Sequence, residues 1–174
     1  MPSNKALILD TNAIITGLPS MAHDAEVYVT TEIFHEVKRM DQQGTVLENI
    51  HYLHIIDPTS ESVLQVMEAA TRLGESLSLS KADISLLALA LELSNSQEVE
   101  IISDDYSIEN LASYLGLKCK SLSTHGITHA MKWKFYCKGC KKEYLRPPSS
   151  GICLICGSKI VRRPISKKAV EKKQ

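Results

Sequence analysis

Four cysteines carry the sharpest chemical signal in the chain. They form two pairs, Cys137-Lys138-Gly139-Cys140 and Cys153-Leu154-Ile155-Cys156, with twelve residues between the pairs. Two residues between thiolates let one tight turn aim both sulfurs at a single ion, and two such turns complete the tetrahedron that zinc prefers in a closed structural site. Gly139 and Gly157 stand where those turns call for a residue tolerant of positive φ. The competing arrangement, a pair of disulfides, needs an oxidising compartment. No export signal is read at the N-terminus, because Asp10 interrupts the early apolar run Ala6-Leu7-Ile8-Leu9. The fifth cysteine, Cys119, lies in Leu117-Lys118-Cys119-Lys120 without a partner and reads as a strand residue.

A second set of candidates is acidic: Asp10, Glu36, Asp83 and the neighbours Asp104 and Asp105. Each has a quieter explanation when taken singly. Asp83 follows Ser80 by three residues and could close a capping box. Glu36 could pair with Arg39 on a helix surface, and Asp104-Asp105 could open a turn. Together they say something different if the fold gathers them, since two like charges at about 4 Å cost roughly 4 kcal/mol at an effective dielectric near 20. A divalent magnesium or manganese ion, held by carboxylate oxygens and water, would offset that repulsion. Such an ion activates water and stabilises negative charge developing at phosphorus, so the chemistry implied is phosphodiester hydrolysis.

The elements that must position these acids read as alternating strands and helices. Lys5 to Leu9 is an apolar run ending at Asp10, with Val27 to Val29, Leu53 to Ile56, Val99 to Ile102 and Leu117 to Leu122 as further strand candidates. After Thr30-Thr31, the residues Ile33, Phe34, Val37 and Met40 fall on one helical face, and Gly44 marks the end of that helix. Ser60 opens a second helix with Val63, Val66, Met67 and Ala70 inward and Gly74 beyond it. Ser80 opens a third, apolar enough all round to be largely buried. Ser107 opens a fourth, stopped by Gly116. Such alternation implies right-handed βαβ units and an α/β fold with a mostly parallel sheet flanked by helices. In such sheets a ligand site lies beyond the carboxyl ends of the strands, where Asp10 and Asp104-Asp105 fall.

The charge of the chain is divided between its ends. Residues 1–130 carry seven Lys/Arg against eighteen Asp/Glu, and residues 131–174 carry thirteen against two, although the whole of the 174 residues balances to zero. A basic module beside an acidic body suits a nucleic-acid enzyme in which one part grips phosphates and the other holds cations near the scissile bond. Lys138, Lys141, Lys142, Arg146, Arg162 and Arg163 lie in or beside the cysteine framework, where they would be held in place. Trp133, Phe135, Tyr136 and Tyr144, set among lysines, either stack on bases or form the small core of the module. The pairs His51/His54 and His125/His129 lack an acid or cysteine to complete a ligand set and read as surface histidines. A module of this size needs a staple, and a structural zinc site supplies about 10 to 16 kcal/mol that is also folding energy. The longest apolar stretch, Ile84 to Leu91, falls short of a membrane span, and a cytoplasmic protein is expected.

Leu7-Ile8-Leu9-Asp10-Thr11-Asn12, then Ile33-Phe34-His35-Glu36-Val37-Lys38, Ser80-Lys81-Ala82-Asp83 and Ser103-Asp104-Asp105-Tyr106 resemble the successive motifs of PIN-domain ribonucleases, over residues 5–122. With the cysteine ribbon that begins Phe135-Tyr136-Cys137, the layout is similar to the archaeal and eukaryotic endonucleases that trim precursor small-subunit ribosomal RNA to its mature 3′ end. The resemblance implies a PIN-like nuclease domain at 1–122, a linker at 123–134, a zinc ribbon at 135–164 and a basic tail at 165–174. It implies that Asp10, Glu36, Asp83 and Asp105 form the acidic site, with Asp10, Asp83 and Asp105 binding Mn2+ or Mg2+ and Asp104 in reserve. Thr11 and Asn12 would support Asp10 by hydrogen bonds, and Ser103 keeps a hydroxyl where threonine is commoner. Cys137, Cys140, Cys153 and Cys156 would hold structural Zn2+. The implied partners are precursor ribosomal RNA and the pre-ribosomal subunit, with no membrane. A non-catalytic RNA-binding assembly factor is the competing reading, and a phosphatase with Asp10 as nucleophile is a third, weakened by Asn12 where a second Asp is common.

Overall fold

The computed structural model describes residues 5–16, 25–41, 53–122, 127 and 129–169. Among these, five strands form a parallel sheet in the order β3-β2-β1-β4-β5. They are β1 (Lys5–Leu9), β2 (Glu26–Val29), β3 (Leu53–Ile55), β4 (Glu98–Ile102) and β5 (Lys118–Lys120). Leu7, Ile8 and Leu9 of β1 and Ile101 and Ile102 of β4 are buried, as central strands covered on both faces require. Five helices belong to this unit: α1 (Thr11–Ile15), α2 (Thr31–Met40), α3 (Ser60–Leu73), α4 (Lys81–Leu93) and α5 (Tyr106–Leu115). Leu86, Leu87, Ala88, Leu89 and Ala90 are buried in succession, so α4 is the apolar helix its composition announces.

The strand order reverses direction between β1 and β4, which pair in register from Lys5↔Glu98 to Leu9↔Ile102. A crevice at such a switch point is where open α/β sheets bind ligands. Asp10 and Ser103 are the first residues past the two strand ends, and the Asp10 N–H donates to the carbonyl of Ile102, the last residue of β4, at 3.2 Å.

A second sheet, antiparallel, has the order β7-β6-β8, with β6 at His129–Cys137, β7 at Glu143–Tyr144 and β8 at Ile160–Ala169. Cys137 ends β6, and Cys140, Cys153 and Cys156 lie in the connections between the strands of this sheet. Strand β6 begins inside the stretch expected as linker, and β8 continues to Ala169, paired with His129, through residues expected as tail. Ladder hydrogen bonding to β6 holds these basic residues in extended form.

Several local expectations are corrected. The short helix α1 was not anticipated, since five residues are too few to show a period. Helix α5 is capped by Asp105 rather than opened by Ser107, whereas α3 begins at Ser60 as expected, with Thr59 as its cap. Met40 and Met67, read as inward, are 58% and 48% exposed, because their helices turn those positions away from the sheet. Gly139 does not have positive φ; Lys141 does, at 63°, whereas Gly157 is left-handed as expected. His54 stacks at a tilt on Tyr28, 5.2 Å between centroids, while Gly44, His51 and His125 lie outside the described residues.

Candidate active site and metal centre

Asp10 is 5% exposed and caps α1, accepting the Ala13 N–H at 2.6 Å. Burial is the main cause of its raised pKa; hydrogen bonds from Ser103 and Ala13 pull the other way, and the charges of Asp104 and Asp83 push it higher. Ser103 thus serves two acids, because its Oγ also accepts the Asp105 N–H at 3.0 Å. Its hydroxyl joins the ends of β1 and α5, which is the physical reason a hydroxyl residue suits that position.

Asp83 closes a capping box at the start of α4: its Oδ2 accepts the Ser80 N–H at 2.7 Å and its own N–H donates to Ser80 Oγ at 3.2 Å. The structural explanation for this acid is therefore real. It does not exclude another role, since Asp83 also has a raised pKa, mainly through burial and further through the charges of Asp105 and Glu36. Glu36, half-buried on α2, accepts the Thr11 hydroxyl at 2.8 Å. Thr11 therefore turns to Glu36 rather than to Asp10, a correction to the expectation that it supports Asp10 directly. Asp105 is exposed and accepts the Ser107 and Ile108 N–H groups at 2.6 and 3.3 Å. Asp104 accepts the Ser121 hydroxyl and, at 2.9 Å, the Leu122 N–H.

Charge coupling links Asp10 to Asp83 and Asp104, and Asp83 to Asp105 and Glu36, although among the described residues no three of these acids stand together as closely as the cysteines do. The acids' hard oxygen donors and mutual repulsion suit a divalent cation. Lys81 and Glu32 form an exposed ion pair beside this group, and Glu109, buried one turn after Asp105, has its pKa raised first by burial and then by Asp104 and Asp105. Sequence reasoning gave Lys81 and Glu109 no role; a buried acid four residues from a helix cap is visible only once the helix start is known.

The four cysteine sulfurs all lie within 4.8 Å of one another, the one such group of three or more ligating side chains among the described residues. Their spacing is tight enough to share one ion, with Cys137 3.3 Å from Cys156 and Cys140 3.6 Å from Cys153. Hydrogen bonding from Ser158 lowers the Cys156 pKa to about 5, and the Tyr144 hydroxyl, 3.1 Å from the Cys153 sulfur, lowers that thiol to about 7. Thiolates are the ligating form. A Cβ on Gly139 would come within 3.1 Å of the Cys156 sulfur and 2.4 Å of Ser158 Oγ, so the first knuckle wraps its centre too closely for a side chain. Donor set and spacing fit a metal, with Cys153 and Cys156 held toward the thiolate while the Cys140 pKa is pushed up to about 11.

A family model described as the PIN domain of ribonuclease matches residues 7–93. The chain belongs to the PIN-domain ribonuclease family and is an endoribonuclease. It is similar to Endoribonuclease Nob1 of Pyrococcus abyssi, 37% identical over 157 residues that make up 88% of this chain and 91% of that protein. Endoribonuclease Nob1 of Methanothermobacter thermautotrophicus is 32% identical over 157 residues, 90% of this chain and 91% of that protein. Among solved structures, the crystal structure of VapBC2 from Rickettsia felis bound to a DNA fragment from their promoter superposes with a TM-score of 0.50 at 16% identity, covering 67% of this chain and 98% of that chain. That likeness concerns the fold. Among the described residues no helix is long and apolar enough to cross a membrane.

Proposed function

We propose that this endoribonuclease hydrolyses precursor small-subunit ribosomal RNA near its mature 3′ end during ribosome biogenesis, using Mn2+ or Mg2+ at Asp10, Glu36, Asp83 and Asp105. The observation that carries the reading is the electrostatic chain among these acids, in which the charge of Asp83 helps raise the pKa of Asp10 while those of Asp105 and Glu36 help raise the pKa of Asp83. The substrate is supported by relatives named Endoribonuclease Nob1 whose matches cover 88% and 90% of this chain. A cation bound by the acids would neutralise charge at the scissile phosphate and lower the pKa of the attacking water. Asp10, Asp83 and Asp105 would hold the cation, while the Thr11 hydroxyl orients Glu36 and Ser103 hydrogen-bonds Asp10. The in-line attack expected of this class leaves a 5′-phosphate and a 3′-hydroxyl.

Cys137, Cys140, Cys153 and Cys156 hold structural Zn2+ in this reading, and the exposed Lys138, Lys141, Lys142, Arg146 and Arg163 grip RNA phosphates by counterion release. The body from residue 1 to 122 is the nuclease domain and 135–164 the ribbon, and the protein works in the cytoplasm on the pre-ribosomal subunit. The test is cleavage of an RNA spanning the small-subunit 3′ junction, with and without manganese, by wild type and Asp10→Asn. Manganese-dependent cutting lost in Asp10→Asn, with RNA binding kept, supports the proposal. RNA binding without a cut in wild type supports the non-catalytic assembly factor instead.

A further inference from the structure

Glu75 has no part in the acidic site, yet it is a fully buried carboxylate where α3 gives way to the loop before α4. Its Oε1 accepts the Trp133 indole N–H and the Asn110 side-chain amide, each at 2.8 Å, and its Oε2 accepts Arg162 Nη1 at 2.9 Å. Two of these donors, Trp133 on β6 and Arg162 on β8, belong to the cysteine-bearing sheet, and Arg162 also lies over the Trp133 ring, 4.5 Å from its centroid. Arg162 donates to Ser78 Oγ as well, at 2.6 Å.

The backbone is clasped at the same place. Asn110 accepts the Met131 N–H at 2.7 Å and donates to the Met131 carbonyl at 2.9 Å, imitating a strand neighbour. Gly74, at φ 80°, lets the Trp133 carbonyl approach so closely that a Cβ there would stand 2.4 Å from its oxygen. Glu109 accepts the Ile127 N–H at 2.6 Å. Asn110 and Glu109 lie one turn along the helix that Asp105 caps, and Tyr106, next to Asp105, feels the charges of both Glu75 and Arg162. The joint and the acidic site therefore share one helix.

We propose that Glu75 is a positioning residue that fixes the ribbon against the nuclease body, so that the joint sets which phosphate of a ribbon-bound strand reaches the acids. The inference rests on the proposed function above. Two RNA-gripping parts held at a fixed offset act as a bivalent binder, and loosening them lowers the effective concentration of the second contact. A buried carboxylate satisfied by donors from both parts makes the offset sharp, because a small shift of the ribbon breaks its hydrogen bonds before water can reach the charge.

The experiment compares wild type with Glu75→Gln on two RNAs, one covering the junction and its adjoining helix and one short strand spanning the junction alone. Trp133, the single tryptophan in the sequence, reports the joint by its emission. The expected result is a red-shifted emission, affinity for the long RNA reduced about tenfold, cuts spread over neighbouring phosphates, and short-RNA cleavage within about twofold of wild type. Asn110→Ala, which removes the clasp on the Met131 backbone without removing a cation, should reproduce this pattern if Glu75→Gln does not fold. Equal losses on both RNAs, an unshifted emission, or a red shift with the long RNA still bound tightly and cut at one place would overturn the proposal. If wild type cuts neither RNA, the nuclease reading fails instead, and the two affinities still report on the joint.

Discussion

The Thr11 hydroxyl donates to Glu36 Oε2 at 2.8 Å, so the residue that follows Asp10 on the first strand's exit fixes an acid 25 positions away on α2. This bond joins the two ends of the acidic group that no shared helix or strand connects. Thr11→Val keeps the shape and removes the donor. Manganese-dependent kcat should fall about tenfold to a hundredfold with KM little changed, as for partners that orient a metal-binding side chain. Thr11→Ser should restore most of the rate in the same cleavage assay.

The acids cost stability when no cation is bound. Asp10 and Asp83 both have raised pKa values, first through burial and then through neighbouring carboxylates. The folded chain thus binds these protons more tightly than the unfolded chain, and stability falls as pH rises from the ordinary carboxylate range through the raised folded values. Asp83→Asn should melt higher than wild type at neutral pH with zinc on the cysteines and no manganese or magnesium added, since asparagine can still accept from the Ser80 N–H. The gap should narrow on acidification and shrink when manganese is added, as read by thermal melts across pH. The same variant should lose at least about a hundredfold in cleavage rate, a trade of function against stability.

Much of this arrangement was legible in the residues. The cysteine spacing fixed the ribbon because two turns of that length leave few other ways to place four sulfurs. An apolar run ending in Asp10, and another ending before Asp104-Asp105, marked the strand ends because buried parallel strands show as unbroken apolar stretches. What stayed hidden depends on contacts between distant segments. Trp133 and Glu75 are 58 residues apart and Arg162 and Glu75 are 87 apart, so nothing local distinguishes Glu75 from a solvated acid after a helix end. Met40 and Met67 continue an apolar period beyond the point where their helices still touch the core, and periodicity alone cannot register that. Asp105 took the cap from Ser107 because Ser103 holds its N–H and leaves its carboxylate facing the first turn.

Tyr144 should matter to the ribbon through a single hydroxyl. Its oxygen lies 3.1 Å from the Cys153 sulfur, and that contact is the leading cause of a phenol pKa pushed up to about 12 and a thiol pKa lowered to about 7. Tyr144→Phe removes the donor while keeping the ring under Lys142, whose amine is 5.5 Å from the ring centroid. Zinc affinity measured by chelator competition should fall about tenfold, with the zinc count per chain unchanged at saturating metal.

In the proposed function, separated acids share divalent cations at the switch point between β1 and β4. A crystal of the protein soaked in manganese and measured for anomalous scattering tests it most directly. The account predicts a peak coordinated by Asp10 together with Asp83 or Asp105, absent from Asp10→Asn crystals treated in the same way. Manganese bound elsewhere, or a peak that persists in Asp10→Asn with unchanged height, would contradict it.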